Sequence, residues 1–247
     1  MRISSLVAMA LAVTILVAPQ MAYAAPLLAV DFGRNIGNDP GAPSPVQAGF
    51  NGMTGNFSEP SGSAVAVFGA YTVSLAFDPY QGSDYTRVGF EDTAAASASI
   101  DPGIRALYED AAINNLDLND GSGITLSIKG VTPNAPYSIK LWSYNAENSF
   151  YATPTLFSPV GTTSGGSGSV TQFATPLPTT LDDYSTTIQV SSTNDTLTIH
   201  AASTESYGGT RLNGFQLSAV PEPATGLLAT CAVVMWGAVR RLGCRRT

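Results

Sequence analysis

Apolar and polar residues alternate through several short stretches of this chain. In "AVAVFGAYTVSLAF" (64–77), Val65, Val67, Tyr71, Val73, Leu75 and Phe77 recur mostly at even spacing, which predicts one or two β-strands. "GITLSIKG" (123–130) places Ile124, Leu126 and Ile128 on one face. "PYSIKLWSYN" (136–145) sets Tyr137, Ile139 and Leu141 on one face and Lys140, Trp142 and Tyr144 on the other. The turn-forming "VTPNA" between these two predicts a hairpin-like unit. Further strands are expected at 185–192, 195–202 and 210–220. Many short strands separated by Gly, Pro, Asn and Asp turns predict an antiparallel sandwich or barrel.

One stretch departs from this period. In "DPGIRALYEDAAINN" (101–115), Ile104, Leu107, Tyr108 and Ala111 recur at helical spacing, Asp101 can cap, and Pro102 suits a first helical turn. It predicts one short helix laid over the β core. The glycine- and serine-rich "GTTSGGSGS" (161–169) reads as a flexible surface loop.

The two ends follow neither pattern. "MRISSLVAMALAVTILVAPQMAYAA" has one cation, Arg2, an apolar run from Leu6 to Ala18, then Pro19 and the small-residue pattern Ala22-Tyr23-Ala24. This reads as a secretory signal helix, residues 1–24, cut after Ala24. At the other end the apolar run Ala224 to Val239 has 16 residues. As a transmembrane helix it reaches roughly 24 Å, against a hydrocarbon core of about 30 Å. Arg240, Arg241, Arg245 and Arg246 follow it and act as a membrane stop on the cytoplasmic side.

Removing those segments changes the charge balance. The chain carries a formal net charge of -7, but the ends hold five of its eleven cations and only Glu222 of its eighteen acids. Residues 25–219 are left near -11, which argues against nucleic acid as a partner, because phosphate must be met by clustered cations. Both cysteines, Cys231 and Cys244, lie in the tail. The body therefore has no disulfide, no Cys nucleophile and no cysteine-based zinc site.

Val220-Pro221-Glu222-Pro223, the short apolar span and the basic end together resemble the PEP-CTERM sorting signal of exopolysaccharide-producing Gram-negative bacteria. The resemblance covers residues 220–247 and implies that Val220, Pro221, Glu222 and Pro223 form the sorting motif cut by an exosortase. The chain is then the substrate of that enzyme, exported, tethered to the inner membrane as an intermediate, and delivered to the cell surface or extracellular matrix. An ordinary C-terminal membrane anchor is the alternative. A second, looser resemblance covers the body, 25–219. "AVDFG" (29–33), "PVQAGFN" (45–51), "LYED" (107–110), "ITLSIKGVTPNAPYSIKLWSYN" and "RLNGFQL" are similar to pieces of malectin-like or galactose-binding-like jelly rolls, with "NAPY" in place of the more usual Pro-Gly-x-Tyr.

Candidate chemistry is sparse. "KLWSYNAENSFY" (140–151) gathers Trp142, Tyr144, Asn145, Glu147, Asn148, Phe150 and Tyr151 at a strand end. Aromatic faces stack on sugar rings while amides and carboxylates take the hydroxyls, so Trp142, Tyr144, Asn145, Glu147, Asn148 and Tyr151 are candidate glycan contacts. The same aromatic positions also suit packing under a neighbouring loop or helix. Asp117, Asn119 and Asp120 supply oxygens of the kind calcium prefers, although their spacing fails the EF-hand pattern; Asp31 and Asp39 can join such a structural Ca2+ site. His200, the single histidine, alternates with Leu197 and Ile199 and is expected to face solvent. No nucleophile elbow and no phosphate-cradling glycine loop is present. Three functions stay open: a non-catalytic matrix-associated or glycan-binding jelly roll with exopolysaccharide as its partner; a polysaccharide-active enzyme using paired carboxylates; and a structural adhesion component.

Overall fold

The computed structural model describes residues 25–34, 45–55, 62–78, 87–92, 98–115, 123–145, 154–171, 176–204 and 209–220. They form fifteen strands and one helix: β1 (Leu28–Arg34), β2 (Asn51–Gly55), β3 (Ser63–Phe68), β4 (Tyr71–Phe77), β5 (Arg87–Asp92), α1 (Arg105–Glu109), β6 (Asp110–Asn115), β7 (Gly123–Lys129), β8 (Tyr137–Trp142), β9 (Pro154–Pro159), β10 (Thr163–Gly165), β11 (Gly168–Thr171), β12 (Ser185–Ser192), β13 (Thr196–Ser203), β14 (Thr210–Leu212) and β15 (Gly214–Ala219). Sheet A runs β10-β12-β8-β15-β1-β2 and sheet B runs β11-β9-β13-β7-β4-β3. A three-stranded sheet C, β14-β6-β5, packs beside β1. The expected mainly-β architecture is present, and all pairs are antiparallel except β1 with β2.

Alternation builds the core. Val30 and Phe32 of β1, Ile139 and Leu141 of β8, Ile188 of β12, and Phe215 and Leu217 of β15 point inward from sheet A. Val73 and Leu75 of β4, Ile124, Leu126 and Ile128 of β7, Phe157 of β9, and Leu197 and Ile199 of β13 meet them from sheet B. Each such side chain is worth about 1.5–3 kcal/mol on burial, which has to carry a body without disulfides. The stretch 64–77 resolves into two paired strands, β3 and β4, joined at Gly69-Ala70. Gly69 has φ 59°, and glycine with positive φ at the first central position suits a two-residue hairpin turn.

Three expectations need correction. β7 and β8 do not form a hairpin: β7 belongs to sheet B and β8 to sheet A, so residues 130–136 arch over the core. A second arch, from β12 to β13, returns the chain beside it, and the two are laced together by Gly130 N and Val131 N donating to Asp195 O and by Asn134 N donating to Ser192 O. The turn residues were read correctly, but turn chemistry does not say which sheet the next strand joins.

The predicted helix over 101–115 is only α1, five residues long. Asp101 takes the Gly103 N–H on Oδ1 and the Ile104 and Arg105 N–H groups on its carbonyl, which turns the chain into α1. From Asp110 onward β5 and β14 offer ladder partners on both sides, and Ala111, Ala112 and Ile113 are buried in strand geometry. Tertiary pairing outweighs the weak helical preference there. The expected loop at 161–169 contains β10 and the start of β11, short strands on the edges of sheets A and B. Among the described residues no helix is long and apolar enough to cross a membrane. The expected signal helix (1–24), Pro221, Glu222, Pro223, the C-terminal span and the four terminal arginines lie outside the described residues.

Candidate functional site

Sheet A has two faces, and the second one is also covered. Because β8 alternates, Lys140, Trp142 and then Tyr144 face away from the main core. Residues 98–109, with α1, and the segment 176–184 form a lid layer over them. Ile100, Leu107, Tyr108, Trp142 and Tyr144 make a second apolar cluster, with Phe50, Ile104, Leu181 and Tyr184 at its margin. Phe50 meets Trp142 edge-on at 5.6 Å, and Tyr144 meets Tyr108 at 5.5 Å and Tyr184 at 4.8 Å.

Polar tips fasten this layer. Trp142 Nε1 and Lys140 Nζ both donate to Leu181 O, at 2.8 and 2.9 Å, and the ammonium lies 4.9 Å from the Trp142 ring centroid. The Tyr108 hydroxyl shares its one proton between Thr180 O and Asp183 O, at 2.9 and 2.8 Å. Burial lifts its pKa above the ordinary tyrosine value, with the charges of Asp183 and Asp182 adding to the effect. The Tyr144 hydroxyl is pushed up to about 12, by burial first and Tyr184 second.

Trp142 and Tyr144 are each 1% exposed. This corrects the expectation that their rings are open to a sugar: no free ring face is left to stack on. Asn145 is buried as well. Glu147, Asn148 and Tyr151, and the calcium candidates Asp117, Asn119 and Asp120, lie outside the described residues.

Two polar groupings escaped the sequence reading in whole or part. His200 stands on the outer face of sheet B, partly exposed as expected, with Nε2 3.0 Å from Asp78 Oδ2. Asp78 Oδ2 also accepts from Gly123 N at 2.8 Å, and Asn114 Nδ2 donates to the carbonyls of Asp78 and Gly123. The pair therefore clamps the end of β4 to the start of β7. Ser158 is the cross-strand partner of His200 in β9, and its hydroxyl accepts from Ser167. Asp78 carried only one signal in the sequence, an acid closing an alternating strand just before Pro79.

The second grouping lies under the lid. Asp31 of β1, in the sheet's outer face, accepts from Gln47 N on Oδ2 at 2.7 Å. Its carboxyl is pushed up to about 7, by burial first; the Gln47 N–H pulls it down, and the charge of Glu109 adds to the rise. Gln47 Nε2 donates to Gly103 O at 3.0 Å. Glu109, on α1, is buried too. Among the described residues no three of His, Cys, Asp and Glu side chains converge on one point.

The fold and lid define a two-sheet β-sandwich with a third, three-stranded sheet at its side. No protein-family profile matches the chain, and no curated protein matches it significantly. Among solved structures it is similar to the CBM22-1 xylan-binding domain of Paenibacillus barcinonensis Xyn10C, at 14% identity over 66% of this chain and 88% of that one, with a TM-score of 0.32. It is also similar to TmCBM61, solved in complex with beta-1,4-galactotriose, at 13% identity over 60% of this chain and 88% of that one, with a TM-score of 0.31. Likeness at that level decides neither ligand nor site.

Proposed function

We propose that the chain is an exported, exosortase-sorted β-sandwich that binds glycan without cleaving it, within or upon an extracellular polysaccharide layer. One observation carries the reading: the sandwich has a polarity. The chain enters and leaves at one end, where Leu27 N donates to Leu217 O and Val220 N to Pro136 O. Turns at that end are short, such as Thr193-Asn194-Asp195 and the 130–136 arch. The stretches bearing Asp117, Asn119 and Asp120 and bearing Glu147, Asn148 and Tyr151 leave from the opposite end, after β6 and after Asn145. In a body held by residues 220–247, the described ends of β6 and β8, from which those stretches continue, lie at the end opposite Val220. Glu147, Asn148 and Tyr151 are the contacts proposed for the sugar; Trp142 and Tyr144, buried under residues 98–109 and 176–184, take no part.

Retention of the exported protein on a panel of immobilised polysaccharides, with reducing ends assayed in parallel, tests this. Retention without new reducing ends is expected, and its loss in Glu147→Ala/Asn148→Ala/Tyr151→Ala at unchanged melting temperature. New reducing ends favour the carboxylate enzyme; neither result favours a structural adhesion component. The mass of the exported protein tests sorting separately, since a tail intact through Thr247 refutes it.

A further inference from the structure

The polar group beneath the lid has two acceptors left over. Asp31 is 2% exposed and Gln47 4% exposed. Asp31 Oδ2 is used by the Gln47 N–H, while Asp31 Oδ1 has no hydrogen-bond partner. On Gln47 the Nε2 is fixed by donation to Gly103 O, since a carbonyl can only accept; the orientation of the amide follows, and Oε1 is the atom without a partner. Buried polar atoms are normally satisfied, so a pair of orphaned oxygens beside a second buried acid, Glu109, marks a place built for something that accepts lone pairs.

We propose that Asp31 Oδ1, Gln47 Oε1 and the Glu109 carboxylate ligate a calcium ion that pins the lid layer to sheet A. The donor set is oxygen only, two carboxylates and an amide, which selects hard cations over zinc or copper. Magnesium demands a strict octahedron at short distances, whereas calcium accepts irregular cages of side-chain, carbonyl and water oxygens such as ligands from three separate segments supply. The ligands come from three separate segments: β1, the approach to β2, and α1. A cation there joins the sheet to α1 and to the stretch before β2 whose Phe50 meets Trp142. Gly103, whose carbonyl holds Gln47, is itself tied to Asp101 Oδ1, so the amide is set in place before any ion arrives. The competing occupant is a proton on Asp31, which would let Oδ1 donate.

Thermal unfolding of the full chain, stripped with EDTA and titrated with calcium or magnesium, separates the two. At calcium roughly a hundred times its Kd the melting temperature is expected to rise by about 5–10 °C, with a smaller response to magnesium. Asp31→Asn, which keeps an acceptor for the Gln47 N–H and so keeps the fold, is expected to abolish the response; Glu109→Gln is expected to weaken it at least tenfold in calcium concentration. Elemental analysis should find one calcium per chain in the wild type and none in Asp31→Asn. No calcium response in the wild type overturns the proposal in favour of the proton. An equal response in wild type and both variants overturns it in favour of a cation bound elsewhere. Neither result depends on whether the protein binds glycan.

Discussion

Replacing Tyr108 with Phe tests whether the lid is fastened through one hydroxyl. The ring is 1% exposed and its edge-on contact with Tyr144, 5.5 Å between centroids, survives the change. No cavity of consequence forms, so the effect is polar. Thr180 O keeps a second donor in the Asp183 N–H, but Asp183 O loses the Tyr108 donor. One lost hydrogen bond plus one desolvated acceptor comes to about 1–3 kcal/mol. In a chain of residues 25–219 Trp142 is the sole tryptophan, and it lies in the same cluster, so its fluorescence reports on the lid while far-UV dichroism reports on the sheets. Urea unfolding should show that loss, with Trp142 shifted to the red before the strands melt. Alkaline pH checks the same contact. Burial holds Tyr144 up to about 12 and raises Tyr108 as well, whereas unfolded tyrosines ionise near 10. The folded state retains protons that the unfolded state has released, so wild-type stability is full below pH 10 and is lost as pH climbs through the folded values. The variant should fall less steeply above pH 10. A variant within about 0.5 kcal/mol of wild type, or one with the same alkaline slope, refutes the reasoning.

Gly123→Ala should cost about 3 kcal/mol or more, because a Cβ there would sit 2.0 Å from Ala201 O and force β7 and β13 apart; a urea midpoint shifted by less than about 1 kcal/mol would contradict this. Asn213→Ala should cost about 2–4 kcal/mol: it strips the Tyr144 N–H of its acceptor and Asp110 O of the Asn213 amide, both at 2.6 Å and both buried. Hydrogen exchange at the Tyr144 amide should accelerate in that variant, and unchanged protection would count against the role.

The faces of the strands were legible and their surroundings were not. Alternation in 136–145 separates Ile139 and Leu141 from Trp142 and Tyr144, and both assignments hold. Which of the two faces meets water depends on residues 98–109 and 176–184, distant in sequence, so the aromatic pair stayed open between packing under a neighbouring element and contacting a sugar. The same limit applies at 110–115, where the partners that make a strand of "DAAINN" come from β5 and β14. Asp31 was visible as an acid in an apolar opening strand, but its meaning rests on Gln47 and Glu109, and no local pattern brings those together.

The order of sheet A has a consequence for how the molecule comes into being. β15, the last of the described strands, fills the space between β8 and β1 near the sheet's centre. A ribosome, or a channel that passes the polypeptide from its N-terminus, delivers that central piece after every other described strand. Until residues 214–219 emerge, β1 and β8 are two raw edges with no neighbour between them, and nothing resembling the finished sheet can close early. A chain stalled or clipped before Gly214 would keep both edges bare, and the sheet closes only once β15 is in place.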